Sequence, residues 1–194
     1  MSTPTFMPLL NSIAVNEAKG QKLLSAWAST AKDPKLKEAL TFVAIREGEH
    51  AMAFTKRMCE LGCAVDETSA YQVFKNFDDL MACACSAATD AEKVEMLTRG
   101  ERSEGERHQN EPKDPFRGFF KDTTIDPQTG ALLGRYIAEE RDSGRLLRGE
   151  YDRVCAEARG RKNHAVDDIA SLKACVSSLE AELKSLRKMI AAGR

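Results

Sequence analysis

The chain has 194 residues, 42% of them apolar and 30% charged, which is enough for one domain with a buried core and a short appendage. Lys and Arg total 29 against 30 Asp and Glu, a formal net charge of -1. That balance speaks against a nucleic-acid partner, because such proteins usually carry a basic excess. No stretch approaches the roughly 20 apolar residues of a membrane span, and residues 1–10 lack the basic and apolar blocks of a secretory signal. The expectation is therefore a cytoplasmic protein with no membrane partner.

The first helix is predicted from Pro4 to Ala31. Asp33-Pro34 is a start signal, since Asp caps and Pro suits the first helical position. The second helix then runs to Leu61, where Gly62 can take the left-handed conformation that ends it. Residues 66–88 form a crossover with a helical stretch around Tyr71–Cys85. Asp90 is the expected cap of a third helix reaching Asn110. Pro112, Pro115 and Gly118 open a loop that closes at Asp126-Pro127, another start signal. A fourth helix continues to Ala158, Gly160 breaks the pattern, and a final helix fills 163–192. Alternation of β-branched residues is almost absent, so the chain reads as all-α. Two helical hairpins joined by a long crossover imply a four-helix bundle over residues 1–160, followed by a helical appendage over 161–194.

Six cysteines are present: Cys59, Cys63, Cys83, Cys85, Cys155 and Cys175. None forms a C-x-x-C pair, which excludes a thiolate metal module built on two such pairs. A chain of this length with an apolar core does not need disulfide staples, so reduced thiols are expected.

The informative feature is where the acids lie. The helix 2 stripe reads Leu36, Leu40, Val43, Glu47, His50, Phe54, Met58 and Leu61. Its steps of three or four place Glu47 and His50 in the middle of the core-facing row. Helix 1 gives Leu10, Ile13, Glu17, Gly20, Leu24 and Trp27. Helix 3 gives Val94, Leu97, Glu101, Glu104 and His108, and helix 4 gives Leu133, Tyr136, Glu140, Ser143, Leu147, Tyr151 and Val154. Each helix interrupts its apolar face with Glu near mid-length. Buried carboxylates cost several kcal/mol each when unpaired, and no Lys or Arg shares these stripes. A pair of divalent metals supplies the missing charge, and carboxylate oxygens with one or two imidazoles favour iron or manganese. The competing reading is a solvated charged face, strongest at Glu101 and Glu104, which Glu106 and Arg107 flank. Glu49 and Glu139 fall off the stripes and are expected at the surface. Trp27 and Tyr136 read as core, with a metal-adjacent role open to Tyr136.

Glu17, the run Glu47-Gly48-Glu49-His50-Ala51, the run Gly100-Glu101-Arg102-Ser103-Glu104 and the run Glu140-Arg141-Asp142-Ser143 occur in one order and phase. In this the chain resembles the ferritin-like superfamily, and within it the rubrerythrin-type di-iron proteins, over Leu10 to about Val154. The resemblance implies a ferritin-like bundle with Glu17, Glu47, His50, Glu101, Glu104 and Glu140 around two iron ions, manganese being the alternative. It also implies reduction of peroxide or O2, or oxidation of iron, with an external electron donor because no rubredoxin domain is present. Ser143 stands where the pattern wants a second His, so one metal position is expected to be weak, water-filled or empty. A non-catalytic iron-binding protein and a metal-free dimeric adaptor remain as alternatives.

The final helix carries a second pattern. Ile169, Leu172, Val176, Leu179, Leu183, Leu186 and Ile190 step by alternating threes and fours, a heptad repeat with β-branched residues at most a positions and Leu at every d. That choice favours two parallel strands, hence a homodimer in which Asp168 faces Lys173 of a second copy and Glu182 faces Arg187. The other reading is an amphipathic helix packed back on its own bundle.

Overall fold

In a computed structural model, which describes residues 4–74, 76–97 and 122–192, the chain is all-helical with no strand among the described residues. The helices are α1 (Met7–Thr30), α2 (Pro34–Glu60), α3 (Phe77–Cys85) and α5 (Pro127–Ala192), with a further helix, α4, described over 90–97. No helix among the described residues is long and apolar enough to cross a membrane. The chain divides into two units, Met1–Val154 and Cys155–Arg194.

The first unit is built on α1, α2 and the N-terminal part of α5. α1 packs on α2, and Leu10, Ile13, Leu24 and Trp27 of the one and Leu36, Leu40, Val43 and Phe54 of the other are all buried. Leu133 and Tyr136 of α5 join Phe6, Met7, Leu10, Phe54 and Met58 in one apolar cluster. Truncating a side chain such as Phe54 to Ala is expected to cost about 3–5 kcal/mol, because such a core closes only partly over the cavity left. Trp27 is fully buried and stacks on Tyr151 of α5, with ring centroids 5.3 Å apart. Gly62 ends α2 with φ +78°, a backbone conformation that residues with a Cβ seldom adopt.

Asp33 and Asp126 cap their helices as their chemistry requires, whereas Asp90 does not cap α4. Asp33 accepts from the backbone N–H of Leu36 at 2.8 Å, and Asp126 accepts from those of Gln128 and Thr129 at 3.0 Å. The α4 cap is Thr89, not Asp90. Thr89 Oγ1 accepts from the Glu92 N–H at 3.3 Å, while the Glu92 carboxylate accepts from the Thr89 N–H at 2.8 Å, a reciprocal capping box. Asp90 instead accepts from the backbone N–H groups of Lys32 and Asp33, each at 3.0 Å, and so ties α4 to the α1–α2 turn. The crossover is helical over a shorter span than 71–85, because Tyr71 and Val73 spend their N–H groups on Ser12 and Asn16 of α1.

A second correction concerns Gly160. It lies inside α5, which continues unbroken from Pro127 to Ala192. A glycine costs a helix interior only about 1 kcal/mol relative to Ala, and good helix formers on both sides, Ala158-Arg159 and Arg161-Lys162, carry the helix through.

Two charged networks fasten α5 to α2. Arg57, 9% exposed, donates through Nε to Thr129 Oγ1 at 2.8 Å, and its Nη2 pairs with Asp126 at 2.9 Å. Arg153 pairs with Asp33, the α2 cap. The hydrogen bond from Thr129, reinforced by Arg57, holds the Asp126 carboxyl well below the usual carboxylate range, and the Arg153 guanidinium does the same for Asp33. Both acids therefore contribute stability that is complete above about pH 4 and is lost as pH falls towards their depressed folded values. Asp126→Ala should cost about 2 kcal/mol, the upper end for a lost cap, and should flatten the acid limb of a stability-against-pH curve measured by urea unfolding. An unchanged acid limb would show that the Arg57–Asp126 pair is not a stabilising contact.

Candidate metal centre

The polar interruptions of three helices meet at one level of the first unit. α1 delivers Glu17 and α2 delivers His50 from the middle of their buried rows, 5% and 4% exposed. α5 delivers Tyr136, Glu139, Glu140 and Ser143 from two adjacent rows. One ligand atom each from Glu17, His50 and Glu140 lies within 4.8 Å of the others. His50 Nδ1 stands 3.1 Å from Glu17 Oε2 and 3.5 Å from Glu140 Oε1. The second contact is electrostatic, because Glu140 Oε1 is buried with no hydrogen-bond partner. Tyr136 donates its hydroxyl to Glu17 Oε1 at 2.8 Å and packs edge-on against the His50 ring.

Glu47 joins them. A Cβ added at Gly20 would collide with the Glu47 carboxylate, so the glycine is what lets this side chain lie against α1. Burial, then the charges of Glu17 and Glu140, push the Glu47 carboxyl far above its ordinary range. Burial alone would depress the His50 imidazole. The carboxylates of Glu140, Glu17 and Glu139 outweigh it and push the imidazole up to about 10. The raised values keep Glu47 protonated and His50 charged at neutral pH in the metal-free protein.

Glu139 departs from its expected place on the surface. Its Oε2 lies 2.8 Å from His50 Nε2, and its Oε1 accepts from Arg135 at 2.9 Å. A carboxylate on one imidazole nitrogen leaves the other free to ligate and fixes the ring's orientation. The signal was in the sequence: an apolar face on a packed helix is broad enough to take two neighbouring rows, not one.

Ser143 is buried, 3% exposed, and is occupied. Arg46 Nη1 donates to Ser143 Oγ at 3.0 Å, to the Glu139 carbonyl at 3.1 Å and to Asp142 at 3.0 Å. A guanidinium from α2 thus contacts the side chain that stands where a second imidazole was expected. The absence of Lys and Arg from the acidic stripes misses it, because Arg46 lies one residue off the row and reaches round with its long stem. Glu101, Glu104 and His108 lie outside the described residues. Glu49 is exposed as expected.

A cleft of about 310 Å³ between α2 and α5, lined by Glu49, Met52, Arg135 and Tyr136 among others, reaches His50. A larger groove of about 710 Å³ beside the crossover contributes none of the cluster's side chains. Compared with family models, with curated proteins and with solved structures, the chain matches none.

Because its folded value is raised, Glu47 stabilises the metal-free fold most below about pH 4, its unfolded range, and loses that contribution as pH climbs. Glu47→Gln, which keeps the shape and removes the titration, should make the metal-free protein more stable than wild type at pH 8 and similar to it at pH 4. Equal stability at both values, read from urea midpoints, would place the Glu47 carboxyl in water.

Proposed function

We propose that this chain is a ferritin-like iron-binding protein that holds one iron or manganese ion between Glu17, His50 and Glu140, with Glu47 as a third carboxylate. The observation that carries the reading is Glu140 Oε1, a buried acceptor without a donor, 3.5 Å from His50 Nδ1. Buried acceptors are almost always satisfied in native proteins, and a cation satisfies this one together with Glu17. Hard oxygens plus a single imidazole suit iron or manganese better than zinc.

The chain's own residues have defined tasks in this reading. Glu139 keeps a proton on His50 Nε2 and presents Nδ1 to the ion. Tyr136 steers Glu17 by its hydroxyl. Gly20 gives Glu47 room to approach. Arg46, bonded to Ser143, supplies positive charge near the place a second ion would take, which is why one ion per chain ranks first. A bound ferrous ion would supply an electron to an oxygen species entering by the cleft at His50.

The second reading is a rubrerythrin-like di-iron oxidoreductase reducing peroxide or O2, or oxidising iron. Glu47 favours it, since a single ion held by Glu17, His50 and Glu140 does not require a third carboxylate. Glu17, Glu47, His50 and Glu140 with Glu101 and Glu104 would then hold two ions, and an external donor would return electrons.

Anaerobic loading with Fe(II) followed by elemental analysis should give close to one ion per chain, and Ser143→His should raise that towards two by displacing Arg46 from its hydroxyl. Two ions in the wild type would put the oxidoreductase first. No bound metal would overturn both readings. Gly20→Ala offers a separate check: it gains up to about 1 kcal/mol of helix propensity while pushing the Glu47 carboxylate away, so it should leave the metal-free fold at least as stable and weaken Fe(II) binding in a calorimetric titration. Undiminished binding would remove Glu47 from the ligand set.

A further inference from the structure

The second unit, Cys155–Arg194, takes no part in the metal reading, and one face of it is apolar. Ile169, Leu172 and Val176 are 53%, 65% and 54% exposed. Isolated exposed Leu or Ile side chains are ordinary, but these three open a register of steps 3, 4, 3, 4, 3, 4 that continues through Leu179, Leu183, Leu186 and Ile190. The whole register lies on the unbroken helix α5. One heptad earlier the corresponding positions are Lys162 and Ala165, so the apolar seam begins at Ile169.

We propose that residues 169–190 join two copies of this chain in a parallel, in-register coiled coil. Three features select a second copy as the occupant. The seam has the strict heptad period of a two-helix interface, narrower than the wider stripe that packs a helix onto its own globular domain. The a positions are Ile169, Val176, Leu183 and Ile190 and the d positions are all Leu, the combination that favours two strands. The flanking charges complement a copy of themselves: Asp168 meets Lys173 and Glu182 meets Arg187 across a parallel pair, and Glu180 faces the neutral Cys175, so no like charges oppose each other.

An antiparallel pair would also bury the seam, and it would set Lys173 against Glu180. It would not bring Glu182 to Arg187, because in that arrangement equivalent flanking positions face each other. The Glu182–Arg187 pair is therefore diagnostic of direction.

The test uses the full chain in reductant, so that exposed Cys59 and Cys85 cannot link copies covalently. Light scattering should give twice the chain mass of 21.4 kDa, with dissociation on dilution because three heptads are few. Leu179→Asp should give 21.4 kDa while the near-ultraviolet signal of Trp27 is retained, showing that the first unit is still folded. Glu182→Arg should weaken the dimer several-fold, and adding Arg187→Glu should restore it. A wild-type monomer at every concentration, or a Leu179→Asp protein that stays dimeric, overturns the coiled coil. A charge swap that fails to restore association overturns the parallel direction.

Discussion

Four acidic side chains and one imidazole share one place, with Glu17 and His50 buried and Glu47, Glu139 and Glu140 half-buried, and the geometry around them follows from that constraint. A buried carboxylate without a partner costs more than most single contacts in a fold return. The chain meets the cost by converging its polar groups instead of scattering them. His50 has carboxylates around both ring nitrogens, Tyr136 donates to Glu17, and a glycine at position 20 clears space for Glu47. The apolar cluster on one side, with Leu10, Phe54 and Leu133, and stacked Trp27 and Tyr151 on the other fix the three helices that carry these groups. Packing sets the positions of the polar atoms, and those atoms in turn make the packing specific to one register.

Arg46 changes how the charge on that site is understood. Acidic rows without an interspersed base read as a demand for metal at two positions. The structure answers part of the demand internally, with a guanidinium bonded to Ser143 and Asp142 and an imidazole pushed towards its charged form. What is left is Glu140 Oε1, which accepts no hydrogen bond and has only the His50 imidazole at 3.5 Å. A paired charge and an unmet acceptor thus occur within two turns of α5, and only the second leaves room for a ligand.

The helical class, the start of α2 at Asp33 and the start of α5 at Asp126 were legible because each depends on local chemistry: a side-chain oxygen facing free N–H groups and a proline where no N–H is needed. The convergence of Glu17, Glu47, His50 and Glu140 was legible because burial imposes a period on every helix that carries them. Glu139 and Arg46 were not, because a one-dimensional stripe has no width and the reach of a long side chain has no period. Gly160 was misread for a related reason. A break signal is a small local cost, and a long helix of favourable residues absorbs it. Residue type alone marks Asp90 as a cap, whereas the backbone N–H groups of Lys32 and Asp33 compete for the same carboxylate.

One helix serves two purposes along its length, and the sequence changes character to match. Through Val154, α5 presents a wide face that mixes Leu133 and Tyr136 with Glu139, Glu140 and Ser143, as packing against two helices and a polar site requires. From Ile169 onward the face narrows to single apolar residues every three or four positions. A wide face buries itself within a fold, whereas a narrow one leaves each flank in water and is fully buried only against another narrow face. The change of width lies between Val154 and Ile169, a stretch of mixed composition that carries Glu157, Arg159, Arg161, Lys162, Asp167 and Asp168 and includes Gly160. Its composition sustains the helix, and the heptad seam begins only beyond it, at Ile169.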